Sequence, residues 1–181
     1  MSFNITPPPS EMEKRDEVLA KAYSNLIYFG RAFLPNDFLK KSESAPFHYE
    51  MGKKMIDTAP GARICNIIPR GHGKSVVAKA AIMHKLCFAA DDQQHFIAWV
   101  SEEQSQAIDH LKYIRSHFEN NKMIRYYFGN MDGGSVGKRW TEKDLVTPKG
   151  DRVISKGTSQ RLRGRAEVDV RYTGIVLDDF E

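Results

Sequence analysis

The chain has 181 residues, which is long enough for one domain with a substantial hydrophobic core. Hydrophobic residues make up 41% of it and charged residues 28%, a balance typical of soluble globular proteins. No apolar run approaches the roughly 18 residues of a transmembrane helix, so the sequence excludes one. The net charge of +4 and the pI of about 9.0 are compatible with a polyanionic partner but do not require one.

Cysteine usage and the N-terminus indicate an intracellular protein. Cys65 and Cys87 are isolated, lack metal-ligand spacing and lie in apolar runs, so we expect two buried thiols in a reducing compartment. The first residues lack the basic-then-apolar order of a secretion signal.

The first 60 residues are predicted to form an arm followed by helices. Three successive prolines are expected to keep residues 1–10 out of helices and ladders. A helix ending near Gly30 is predicted from apolar residues at helical spacing: Val18, Leu19, Ala22, Leu26 and Phe29. A turn over Phe33–Phe38 follows, and then a helix from Pro46 to about Thr58. This second helix either flanks an adenine base or is an ordinary amphipathic helix with inward-facing Phe47, Met51 and Met55.

Residues 62–75 have the strand–loop–helix context of a phosphate-binding loop. Ala62–Ile68 is predicted to be the first strand of a sheet, and it breaks at a proline into the run P-R-G-H-G-K-S. An apolar-periodic helix is predicted from Gly73 to about Ala89. The usual pattern has a glycine where this chain has Ile68, so the alternative is an ordinary glycine-rich turn with an exposed lysine.

The residue types in this loop suit a polyphosphate ligand. Gly71 and Gly73 let the backbone turn so that its N–H groups converge, and the helix N-terminus adds a positive potential. Lys74 can reach the β- and γ-phosphates of a nucleotide, and the Ser75 hydroxyl can ligate Mg²⁺. The predicted nucleotide-binding residues are Pro69, Arg70, Gly71, His72, Gly73, Lys74, Ser75 and Val76.

The middle of the chain continues the alternation of strands and helices. Gln94–Ser101 is predicted to be a strand whose last residue is the N-cap of the next helix, although Ser101 could instead touch nucleotide or DNA. The buried stripe of that helix is predicted to be Ile108, Leu111, Ile114 and Phe118. Met123–Phe128 is predicted to be a short helix ending at Gly129, and Trp140–Thr147 and Arg152–Lys156 an antiparallel hairpin.

The last residues predict an acidic strand end. Ile175–Leu177 is an apolar run suited to a strand buried on both faces, and it delivers Asp178 to the edge of the sheet where ligands bind. Asp178 is predicted to hold Mg²⁺ through water, opposite Ser75. Either Asp179 or Glu181 is predicted to activate the attacking water, since both would lie on one side of an extended chain.

An arginine-rich segment precedes this strand. Arg161, Arg163 and Arg165 alternate, so they share one side of an extended chain. They are either solvated surface charges or functional groups: an arginine finger toward the γ-phosphate, a nucleic-acid phosphate contact, or a sensor linking the two.

With these motifs in order, the chain resembles the N-terminal ATPase domain of the large terminase subunit of tailed bacteriophages. The likeness rests on P-R-G-H-G-K-S (69–75), the hairpin (140–157), S-Q-R-L-R-G-R (159–165) and G-I-V-L-D-D-F-E (174–181), with P-F-H-Y-E-M (46–51) upstream. The resemblance implies an α/β fold with a P-loop NTPase core of the additional-strand, RecA-like type. We expect a mostly parallel sheet with helices on both faces, an antiparallel hairpin and an N-terminal helical segment.

The resemblance also implies an activity and partners. Residues 1–60 would lead into an ATPase core over 61–181, which would be incomplete and followed by no nuclease domain in this chain. Mg²⁺-dependent ATP hydrolysis would drive double-stranded DNA into a procapsid in the host cytoplasm. A homo-oligomeric ring would act on the portal protein with the small terminase subunit. The catalytic residues would be Arg70, Lys74, Arg163, Asp179 and Glu181.

Two other functions share these motifs. The first is a helicase-like translocase, although the acidic box D-D-F-E fits the helicase pattern poorly. The second is a nucleotide-binding fragment without turnover.

Overall fold

The computed structural model describes residues 9–38, 43–59, 62–160 and 171–178. Within these ranges the chain forms seven α-helices, four β-strands and a short 3-10 helix over Gly134–Val136. The helices are α1 (Pro9–Ser24), α2 (Leu26–Phe33), α3 (Pro35–Phe38), α4 (Pro46–Ile56), α5 (Lys74–Cys87), α6 (Gln104–Asn120) and α7 (Lys122–Phe128). The strands are β1 (Phe96–Ser101), β2 (Asp144–Val146), β3 (Arg152–Gly157) and β4 (Gly174–Leu177).

The four strands form one mixed, mostly parallel sheet in the order β2-β3-β1-β4. The central strand β1 runs parallel to both neighbours, so that Trp99 lies opposite Ser155 on one side and Val176 on the other. β2 pairs with β3 in antiparallel register, which confirms the predicted hairpin, although its first strand spans only Asp144–Val146 instead of Trp140–Thr147. Because β1, β3 and β4 are parallel, their carboxyl ends lie at the same edge of the sheet.

A salt-bridged carboxylate fixes the hairpin. Asp144 of β2 accepts two hydrogen bonds from the Arg152 guanidinium on β3, at 2.8 and 2.7 Å, and one from Arg139 at 2.8 Å. Burial raises the pKa of Asp144, but these arginine contacts outweigh it and leave the pKa below its usual value. The register of the two strands is therefore held by side chains as well as by the ladder.

The helices share one hydrophobic cluster with one face of the sheet. That face includes Ile97, Trp99 and Val153, and residues of all seven helices join it, including helices from both predicted segments, 1–60 and 61–181. The opposite face carries a small cluster of strand residues covered by Tyr172, with no helical member among the described residues. The mixed α/β, mostly parallel fold is thus confirmed, whereas helices on both faces are not found in the described part of the chain.

The edge position of β4 explains a further difference. Ile175 and Leu177 lie on the face without helices and are 50% and 58% exposed, while Val176 packs against the main cluster. The prediction that this strand is buried on both faces is therefore wrong.

The extended stretch 62–68 is not a strand. It pairs with no strand of the described sheet, and Ile67 is 93% exposed. An apolar β-branched run becomes a strand only where a neighbour supplies the ladder, and here none of the described strands does. The prediction that Cys65 is buried is also wrong, whereas Cys87 is buried as predicted, and burial raises the pKa of its thiol.

The boundaries of the first three helices differ from the predictions. Helix α1 begins at Pro9, inside the predicted arm, since proline suits the first helical position. The single helix predicted up to Gly30 is broken at Asn25, whose side chain caps α2 by accepting from the Tyr28 N–H at 3.0 Å. The predicted turn over 33–38 contains the one-turn helix α3.

Helix α6 begins later than predicted. Its N-cap is Glu103, whereas Ser101 is the buried last residue of β1, so the predicted N-cap is wrong. Leu111, Ile114 and Phe118 are buried as predicted, together with Ala107. The predictions of α4, α5 and α7 are confirmed to within a few residues at each end. No helix in the described ranges has the length and apolar character needed to cross a membrane.

Candidate nucleotide-binding site

The loop 69–73 and the start of α5 meet the end of β4 at the carboxyl edge of the sheet. Asp178 directly follows β4, and its backbone N–H donates to the Val100 carbonyl on β1 at 2.9 Å. The hydroxyl of Ser75, in the first turn of α5, and the ammonium group of Lys74 lie close enough to the Asp178 carboxylate to lower its pKa. The fold therefore brings together Lys74, Ser75 and Asp178, which are distant in sequence.

Two glycines give the loop its shape. Gly71 and Gly73 adopt φ angles of 81° and 73°, in the left-handed region that other residues enter only with strain. Gly73 is the N-cap of α5 and has no side chain with which to cap the helix. Because the first N–H groups of a helix have no intrahelical acceptor, those of α5 remain suited to an anion at this turn.

The Lys74 side chain links the two ends of the loop. Its ammonium group donates a hydrogen bond to the Ile68 carbonyl at 2.5 Å, and the side chain is half-buried. An ammonium group has three N–H donors, so this contact leaves donors that could bind phosphate oxygens.

Asp178 is the most buried carboxylate of the site, at 8% exposure. Burial alone would raise its pKa, but the polar groups of His110 and Ser75, together with the charge of Lys74, outweigh that effect. The pKa of Asp178 therefore lies below its usual value, and the group is an anion at neutral pH. An ionised carboxylate beside a hydroxyl is a donor set that suits a hard cation.

Helix α4 braces the loop through His48, which sequence reasoning did not single out. The Ala45 N–H donates to His48 Nδ1 at 3.0 Å, so the ring proton is on Nε2, which donates to the His72 carbonyl at 2.8 Å. His72 Nδ1 in turn donates to the Arg70 carbonyl at 3.0 Å. A polar residue at the third position of a helix is a known capping signal, but nothing in the sequence indicates its second contact.

His110 is the other site residue that sequence reasoning missed. Its Nε2 lies 3.2 Å from Asp178 Oδ2, and its ring packs against Trp99 with centroids 4.5 Å apart. It precedes the buried Leu111 on α6 and has no distinguishing sequence signal, because its partners come from β1 and β4.

The remaining predicted residues fall into two groups. Pro69, Arg70, Gly71 and His72 are exposed on the loop, while Val76 packs against the main core and therefore supports the loop from behind. Arg161, Arg163, Arg165, Asp179 and Glu181 lie outside the described residues.

The residues directly before the arginine segment, 158–160, belong to the described part of the chain. Gln160 Nε2 donates to Gln104 Oε1 at 2.8 Å, and the Thr158 N–H donates to the Ser101 carbonyl at 3.1 Å. The chain therefore enters the arginine segment from the same edge of the sheet as Asp178.

The described residues contain no group of three or more His, Cys, Asp or Glu that could hold a metal ion by themselves. Ser75 and Asp178 instead fit the way in which Mg²⁺ is usually held beside a nucleotide, by one or two protein oxygens plus phosphate and water oxygens.

In comparisons with known proteins, no family model and no curated protein sequence matches this chain.

Proposed function

We propose that this chain binds Mg²⁺-ATP at the loop 69–76 and hydrolyses it as a P-loop NTPase of the additional-strand, RecA-like type. The observation that carries the proposal is the meeting of Lys74 and Ser75 with Asp178 at the carboxyl edge of a mostly parallel sheet. That edge is where ligands bind in open α/β sheets.

Each residue has a role that follows from its chemistry. The N–H groups of the loop and of the first turn of α5 would bind phosphate oxygens, and Lys74 would neutralise charge on the β- and γ-phosphates. Ser75 and Asp178 would hold Mg²⁺, Asp178 through water. The bound Mg²⁺ supplies charge neutralisation of the phosphate oxygens.

The other proposed catalytic residues act on the γ-phosphate and on the attacking water. Arg70 is adjacent to the phosphate loop in the chain, so it is a candidate for stabilising charge on the γ-phosphate. Arg163 would act on the γ-phosphate or across a subunit boundary. Asp179 or Glu181 would orient and deprotonate the attacking water.

We further propose the assembly that the terminase resemblance implies. The chain would be the motor part of a DNA-packaging machine, forming a homo-oligomeric ring on the portal with the small terminase subunit and double-stranded DNA in the host cytoplasm. The segment order from the phosphate loop through the hairpin to the acidic strand supports this proposal, and no nuclease activity is expected from these residues.

Steady-state phosphate release tests the activity. We expect Mg²⁺-dependent turnover that is lost in Lys74→Ala and kept in Lys85→Ala, which removes a lysine from the last turn of the same helix. Wild-type turnover equal to that of Lys74→Ala would overturn hydrolysis by this chain and leave nucleotide binding without turnover. Strand separation driven by ATP would instead indicate a helicase-like translocase.

A further inference from the structure

We propose that His110 is a positioning residue that holds the Asp178 carboxylate in the orientation needed for a divalent cation beside the nucleotide. The proposal rests on the proposed nucleotide site and assigns the residue that supports its metal ligand from behind. The observation is the contact between His110 Nε2 and Asp178 Oδ2, at 3.2 Å, between side chains that are 23% and 10% exposed.

Asp178 is held from three sides. Its backbone N–H donates to the Val100 carbonyl on β1, the Ser75 hydroxyl on α5 lies near its carboxylate, and His110 Nε2 on α6 lies 3.2 Å from the oxygen Oδ2. A carboxylate with one partner can still turn about its side-chain torsion, whereas a second partner from another helix fixes the plane of the group. His110 thereby determines which oxygen lone pairs face the loop.

The imidazole is itself fixed by packing. Its ring lies 4.5 Å from that of Trp99, with 32° between the planes, and Trp99 is fully buried in the central strand. The ring is therefore supported by a fully buried side chain of the central strand. Such a support is what a precise metal site requires, since loosely held ligands lose geometry and affinity.

The role is different from that of Ser75. The Ser75 hydroxyl is itself a proposed ligand, so removing it changes the metal and its support together. His110 contacts the Asp178 carboxylate and is proposed to bind neither the metal nor the nucleotide. Groups that hydrogen-bond to metal ligands in this way typically contribute about 10- to 100-fold to metal affinity.

Two substitutions separate the contact of the ring nitrogen with Asp178 from the packing of the ring. His110→Phe keeps an aromatic ring against Trp99 but has no donor for Asp178. His110→Gln loses the ring but keeps an N–H donor. His117→Ala is the matched control, because His117 is a half-buried histidine two turns further along α6 that contacts Asn121 at 3.1 Å.

The measurement is the binding of a fluorescent ATP analogue across a series of free Mg²⁺ concentrations and in EDTA. We expect His110→Phe to raise the half-saturating Mg²⁺ concentration by about tenfold or more while leaving the affinity in EDTA unchanged. His110→Gln should recover most of that loss, and His117→Ala should match the wild type. Urea unfolding measures the stability of each variant. If the role of His110 were purely structural, its substitution would change both the stability and the nucleotide affinity in EDTA.

The outcomes separate this inference from the proposed function. Unchanged Mg²⁺ dependence in His110→Phe overturns the positioning role while leaving the nucleotide site intact. Equal losses in EDTA and in Mg²⁺ overturn it too, because they indicate general damage to the loop. A wild-type protein that binds no nucleotide, or binds it equally well after Lys74→Ala, overturns the proposed function itself.

Discussion

Substitution of His48 measures how much the shape of the loop 69–73 depends on helix α4. The ring makes two hydrogen bonds. It accepts one from the N–H of Ala45, the N-cap residue of α4, and donates one to the His72 carbonyl in the loop. A typical net contribution of one such bond is about 0.5–1.5 kcal/mol. If the loop bond holds the binding conformation, its loss should weaken nucleotide binding about 2- to 13-fold, since about 1.4 kcal/mol corresponds to a factor of ten.

The substitutions for this test are His48→Ala, which loses both bonds, and His48→Gln, which can keep both. Glutamine at the third helical position can accept from the N-cap N–H, and its amide can donate to the His72 carbonyl. We expect the alanine variant to show the weaker binding and the glutamine variant to remain close to the wild type. Tyr49→Ala, at an exposed neighbouring position on α4, is the matched control.

The assay compares ATP with inorganic tripolyphosphate by titration calorimetry. Bracing of the loop predicts the same fold-loss for both ligands, because both use the loop N–H groups. A loss confined to ATP would show that α4 contacts the base instead. Unchanged affinity of His48→Ala for both ligands would refute the bracing role.

Three further predictions concern the packing of the core, the pH dependence of stability and the reactivity of the two thiols. Leu111→Ala should lower the free energy of unfolding in urea by about 2–5 kcal/mol, because Leu111 is fully buried under the sheet. A loss no larger than that of Met123→Ala, at an exposed position, would contradict this packing. Burial lowers the pKa of His84 below its usual value, so the unfolded chain binds more protons than the folded chain as the pH falls below about 6.5. The free energy of unfolding should therefore be constant above that pH and decline below it. Unfolding curves of His84→Phe should show a flatter decline. A thiol reagent should modify exposed Cys65 rapidly and Cys87 only on unfolding, and equal rates in the native protein would contradict the burial of Cys87.

Local signals in the sequence predict much of this fold. The turn signal Pro148–Asp151 between two strand-like runs predicts the hairpin, because the turn chemistry and the pairing are both local. The apolar period after Gly73 predicts α5, and the order of the parallel strands predicts that Asp178 lies at the carboxyl edge of the sheet.

The errors arise where non-local partners decide the outcome. The run 62–68 has strand-like residues, but a ladder requires a neighbouring strand, and the sequence alone does not show which neighbour is available. The exposure of Ile175 follows from the edge position of β4, which depends on the strand order. His48 and His110 bind groups from other elements, so their roles become visible only when the helices are packed.

Calorimetric titration of Mg²⁺-ATP into the wild-type chain and Lys74→Ala tests the central claim most directly. We predict a single site in the wild type and an affinity lower by at least about tenfold in the variant, because a hydrogen bond to a charged group contributes about 1.5–3 kcal/mol. Equal affinity in the two proteins, or no binding by the wild type, would contradict the assignment of Lys74, Ser75 and Asp178 as a nucleotide site.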